Sequence, residues 1–171
     1  MNSKIIGSFF IFLLAVSLAG CQHPSDPLSG ALHEYSEIIA EEFPDDLQLT
    51  IYCMDPEIDT RFPLGVDNLM TLDQVAVIRV EAEELKSHAV LFRKLDTSAL
   101  TIVPGEAHIN ARMYYVFETD SSGKILEVII NNIHGNVFVN GVAVEENPIF
   151  FALIRPFLTE EACNLWGIQI E

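Results

Sequence analysis

The chain is expected to fold as an α+β domain, with a mostly antiparallel sheet built from hairpins and packed against about three helices. Three observations lead there. Apolar residues recur at spacings of three and four within residues 31–43 and again within 81–95, the period of a helix with one buried stripe. Residues 112–118 with 125–131, and 137–139 with 142–144, are strand-like segments joined by turn residues, as hairpins are. Half of the 171 residues are hydrophobic, enough for one sizeable core, and no internal repeat divides the chain.

In residues 31–43, Leu32, Tyr35, Ile39 and Phe43 share a face while Glu34, Glu37, Glu41 and Glu42 fall mostly on the other. Pro44 ends that helix, because its ring disfavours helical backbone in the residue before it. Residues 47–53 read as a strand. The stretch that follows, through Asp55, Pro56, Pro63 and Gly65, fits neither period and makes a loop of about twenty residues, long enough to suggest a functional role. Residues 75–80 are rich in β-branched side chains and suit a strand. The helix expected at 81–95 carries Leu85, Ala89, Phe92 and Leu95 as its stripe.

Strands 112–118 and 125–131 are joined through Asp120, Ser121, Ser122 and Gly123. The second hairpin is tighter, because Asn140-Gly141 accepts the positive φ angles of a type I′ turn. Asn147 then caps a helix with Pro148 at its first position. Residues 149–158 are apolar on nearly every face, so this helix is expected to lie buried against the sheet, shortened by Pro156. Thr159 caps a last short helix ending near Trp166-Gly167.

The N-terminus has a separate logic. Lys4 gives a basic start, the apolar run extends from Ile5 to Gly20 at most, and small residues lead to Cys21. That is signal-peptide architecture, too short for the roughly 20 residues of a spanning helix. At Leu18, Ala19, Gly20 and Cys21 the chain resembles the lipobox of bacterial lipoproteins. The resemblance covers residues 1–21 only. It implies cleavage before Cys21 and acylation of that cysteine, leaving residues 1–20 as a cleaved leader. The lipidated cysteine and a Pro- and Ser-bearing tether would occupy 21–30, and a single globular domain 31–171. Two or three acyl chains anchor stably where one does not. Gln22 follows the cysteine, where Asp would favour inner-membrane retention. The expected address is the periplasmic face of the outer membrane in a Gram-negative source, and the outer face of the plasma membrane in a Gram-positive one.

Charge excludes some partners. Removing residues 1–20 removes only Lys4, leaving 8 basic against 25 acidic residues, a net charge of about −17. Nucleic acid is not an expected partner, since phosphate binding depends on clustered Lys and Arg. Anionic headgroups repel such a chain as well, so the membrane is reached through lipid on Cys21. If Cys21 is acylated, Cys53 and Cys163 remain. Outside the cytoplasm they either pair as a disulfide or stay as buried small hydrophobes, and both outcomes are open.

No catalytic set emerges. Five histidines show no pair at the spacing that places two on one helix face. His33-Glu34 opens like a zinc-protease motif, but Glu37 stands where the second histidine belongs. His88 is expected to pair with Glu84 one turn back. Ser121 and Lys124 have the spacing of the penicillin-interacting enzymes, yet they sit at a hairpin tip instead of opening a buried helix. Asp55, Glu57 and Asp59 alternate like the first ligands of a calcium loop, but Thr60 and Val66 occupy the positions that need Gly and Glu. No cofactor-binding motif is present.

The favoured expectation is therefore a non-enzymatic, membrane-anchored binding domain for an envelope protein. Its candidate surfaces are the edge of the hairpin at 137–144 and the apolar face near Phe150 and Phe151. The alternatives are a cation or small-ligand module using residues 55–67, and an extracytoplasmic hydrolase using paired carboxylates.

Overall fold

Gln48–Cys53 forms the first strand, β1, with Leu49, Ile51 and Cys53 on one face and Thr50 and Tyr52 on the other. The computed structural model describes residues 28, 30, 32, 35, 37, 43–95, 100–132 and 135–169. The remaining strands are β2 (Ala76–Glu81), β3 (Met113–Thr119), β4 (Gly123–Ile130), β5 (Val137–Val139) and β6 (Val142–Val144). They make one six-stranded antiparallel sheet in the order β2-β1-β3-β4-β5-β6. The fold is thus α+β with an antiparallel sheet and hairpins, as the periodicities indicated. Asn140 and Gly141 take φ of +47° and +80°, the left-handed pair that a type I′ turn requires.

The helices are shorter and more numerous than expected. Leu28, Gly30, Leu32, Tyr35 and Glu37 are helical and form the described part of α1, residues 28–37. Leu28 is already buried against the core, so the helix reaches back into the segment read as tether. A short α2 (Val66–Met70) interrupts the long loop. The helix expected at 81–95 is broken at His88, whose φ of −112° and ψ of 16° separate α3 (Ala82–Ser87) from α4 (Ala89–Phe92). His88 does not pair with the Glu84 carboxylate. Its Nδ1 lies 2.8 Å from Ser87 Oγ and 3.2 Å from the Glu84 carbonyl oxygen, and its ring meets Phe157 edge-on. The local break tilts the imidazole toward the backbone. The chain ends with α5 (Ile149–Ile154), a 3₁₀ turn (Arg155–Phe157) and α6 (Glu160–Leu165).

The main core lies between one sheet face and these helices. Tyr115 and Phe117 of β3 meet Tyr35 of α1, Phe92 of α4 and Phe150 of α5 there, all fully or almost fully buried. Phe117 contacts the rings of Tyr35, Phe92 and Tyr115 edge-on at 5.8, 5.3 and 6.3 Å. The opposite face carries a second apolar layer of Tyr114, Val116, Ile129 and Phe138, covered by Met54, Leu69 and Ala111 from the connecting segments. Residues 113–117 are buried on both faces for this reason, which accounts for their unbroken apolar run.

Two buried phenols tie the layers together, one joining α5 to the sheet and the other joining α1 to α4. The Tyr115 hydroxyl donates to the Phe150 carbonyl at 2.9 Å and that of Tyr35 to the Phe92 carbonyl at 3.4 Å. Burial pushes both phenols well above their ordinary range. Unfolded phenols ionise at about pH 10. Above that pH the folded state holds more protons than the unfolded state, so stability falls as pH rises. We expect alkaline unfolding in which tyrosinate absorbance from Tyr35 and Tyr115 appears together with loss of circular dichroism. Tyr35→Phe and Tyr115→Phe variants assign the signal, and ionisation of either phenol in a chain that stays folded would contradict this burial.

Candidate functional site

The site is built by residues 146–169. Asn147 Oδ1 accepts the Ile149 N–H at 3.0 Å and starts α5. Phe150, Leu153 and Ile154 turn into the core, leaving Phe151 and Ala152 half-buried on the outer side. Pro156 cannot continue an α-helix, and the chain tightens into the 3₁₀ turn that carries Arg155. Thr159 Oγ1 accepts the Ala162 N–H at 3.2 Å and starts α6, whose buried residues Ala162, Cys163 and Trp166 follow helical spacing.

Trp166 donates its indole N–H to the Met54 carbonyl at 3.1 Å, fastening α6 to the residue after β1. Gly167, at φ +63°, then reverses the chain, and the Ile168 N–H bonds back to the Cys163 carbonyl at 2.9 Å. Ile168 and Gln169 consequently return beside α5. Between them lies a groove of about 690 Å³. Phe151 and Trp166 stand 5.9 Å apart as its aromatic floor, with Pro148, Ala152 and Ile168 adding apolar walls. Glu146 and Arg155 supply its charges. The Arg155 guanidinium has no hydrogen-bond or ion-pair partner among the described residues. This arrangement can hold an apolar group and meet one anionic group beside it.

Of the two surfaces named from sequence, one survives in part. Phe150 is core; only Phe151 faces the groove. The edge of the 137–144 hairpin is taken up, because the Val103 N–H bonds to the Ala143 carbonyl at 2.9 Å and the Glu145 N–H to that of Thr101 at 2.8 Å. The sequence marks Trp166 only as the end of the last helix and does not single out Arg155. Their role depends on the reversal at Gly167, which periodicity does not show.

A cation of the chain itself, Arg112, lies beside the acidic loop, bonded to Thr60. Asp55 Oδ1 accepts the Glu57 N–H at 2.8 Å, while Glu57 and Asp59 stay exposed. Beneath them Arg112 donates to Thr60 Oγ1 at 3.0 Å, Asn110 Oδ1 at 2.7 Å and the Ala111 carbonyl at 3.1 Å. Burial lowers the pKa of this guanidinium, and the charge of Asp59 opposes that. A fixed positive charge under the loop repels a bound cation. Among the described residues no group of three or more His, Cys, Asp or Glu is placed to hold a metal ion, so Asp55, Glu57 and Asp59 are not brought together as ligands.

Cys53 and Cys163 are both buried, and both are free thiols. Ser121 lies by Thr119 at the hairpin tip, while Lys124 pairs with Glu127 at 3.0 Å. Leu18, Ala19, Gly20, Cys21 and His33-Glu34 lie outside the described residues. Among the described residues no helix is long and apolar enough to cross a membrane. No protein-family model, curated protein or solved structure matches the chain.

Proposed function

We propose that this protein is a bacterial lipoprotein, anchored by lipid on Cys21 at the extracytoplasmic face of a membrane, which binds a segment of an envelope protein without catalysing a reaction. The observation that carries the binding reading is the groove at α5 and α6: an aromatic floor beside a guanidinium that has no partner among the described residues. Its occupant is a peptide segment presenting apolar side chains and one carboxylate, the charge that Arg155 accepts. The hydrolase alternative has less support from this groove, which offers Glu146 as its one carboxylate. The cation-module alternative is disfavoured by Arg112 beneath its loop.

A photo-crosslinking residue in place of Ala152 tests this in cells. One protein is expected to cross-link from position 152, not from the hairpin tip at Ser121, and Arg155→Glu is expected to reduce that adduct at least tenfold with circular dichroism unchanged. Reversing one charge at a desolvated contact costs several kcal/mol, more than that factor requires. Equal adducts from both positions, or an adduct indifferent to Arg155→Glu, would reject the groove as the binding site.

A further inference from the structure

We propose that Cys53 and Cys163 are an oxidisable pair, whose disulfide fastens the Trp166 wall of the groove to the end of β1. This deepens the proposed function and rests on it for the benefit to the groove and for the oxidising compartment. Cys53 is the last residue of β1 and Cys163 lies in α6, so the two are remote in sequence. The fold brings them together. Trp166, one turn beyond Cys163 on the same buried face, donates its indole N–H to Met54, the residue after Cys53. Cys53 and Cys163 are 5% and 3% exposed. The Trp166 to Met54 bond brings the segment that carries Cys163 to the end of β1 that carries Cys53, and a charge on Cys163 would raise the Cys53 thiol further.

Chemistry and compartment agree. Burial pushes the Cys53 thiol up to about 11, so exchange is slow once α6 has docked. The pair therefore closes while α6 is docking. One thiolate attacks a disulfide-bearing oxidant, forming a mixed disulfide and releasing one oxidant thiolate. The second cysteine then attacks the protein sulfur of that mixed disulfide. The Cys53–Cys163 bond forms and the second oxidant thiol leaves, so two protein thiols are oxidised as one oxidant disulfide is reduced to two thiols. An extracytoplasmic location supplies such oxidants.

The test uses the mature chain purified from membranes in detergent, reduced and unfolded, then refolded with mixed oxidised and reduced glutathione. Peptide mapping is expected to show a Cys53–Cys163 linked peptide, lighter by two hydrogen atoms than its reduced parts. Reduction should lower Tm by roughly 10 °C, the shift expected for a crosslink closing so long a loop in a domain of this size. Cys163→Ala should abolish both the link and the sensitivity of Tm to reductant. Two thiols that remain alkylatable after refolding, or that each carry glutathione with Tm unmoved by reductant, would overturn the proposal. A pair that closes in a chain carrying no acyl group and capturing no partner would leave this inference standing and sink the anchored-binding reading alone.

Discussion

Replacing Phe117 with Ala is expected to lower stability by about 3–5 kcal/mol, the range for deleting a fully packed aromatic ring. Phe117 is 0% exposed and holds three aromatic partners edge-on, from α1, α4 and its own strand. Its loss removes those ring contacts together and leaves a cavity that neighbours tied by backbone hydrogen bonds cannot fill. In a domain of this size the change corresponds to a fall in Tm of roughly 10 °C or more. Phe62, 67% exposed on a loop, is the control; Phe62→Ala should move stability by less than about 0.5 kcal/mol. Chemical denaturation measures both. A Phe117→Ala loss below about 1 kcal/mol would mean that this junction of three elements is not where the core is held.

Replacing Cys21 with Ser is expected to abolish acylation and leave the leader uncut. Serine has the size of cysteine but lacks the sulfur that receives the diacylglyceryl group. In the wild type, the intact mass should equal the chain from Cys21 onward plus its acyl groups, and labelled fatty acid should be incorporated. The variant should incorporate none and retain residues 1–20. Replacing the leader with an ordinary secretory one, together with Cys21→Ser, should then release the protein from membranes, because the proposed attachment is through two or more acyl chains and a chain near −17 is repelled by anionic headgroups. A wild-type protein without acyl mass would reject the anchor while leaving the groove to be tested on its own.

Most of the secondary structure was legible along the chain because its signals are local. The Asn140-Gly141 turn and the Thr159 cap each act within three or four residues and lie where their chemistry placed them, while α5 starts one residue later than expected, with Pro148 as its cap and Asn147 bonded to the Ile149 N–H. The break at His88 was not legible. Leu85 and Phe92 keep helical spacing across it, and the stop becomes visible only from the backbone at His88. The cover over the second sheet face was hidden for a related reason. Leu69 and Ala111 come from segments without a period, and only pairing of the strands beneath shows that they share a layer.

The candidate site divides in the same way. From the sequence alone come the expectation of a leader and of a lipobox at Cys21, the acidic balance that disfavours nucleic acid, and the apolar character of residues 149–158. Each is a property of composition or of neighbours within a few residues, so no folding is needed to state it. The tertiary structure decided that the 137–144 edge is occupied and that Arg112 sits beneath the acidic loop. It also decided that Phe151, Arg155 and Trp166 share a groove and that α6 docks at the end of β1. These depend on contacts between residues far apart in sequence, such as the Trp166 to Met54 hydrogen bond. Local propensity and period carry no record of such contacts, because they are set by which buried faces find each other when the helices close on the sheet.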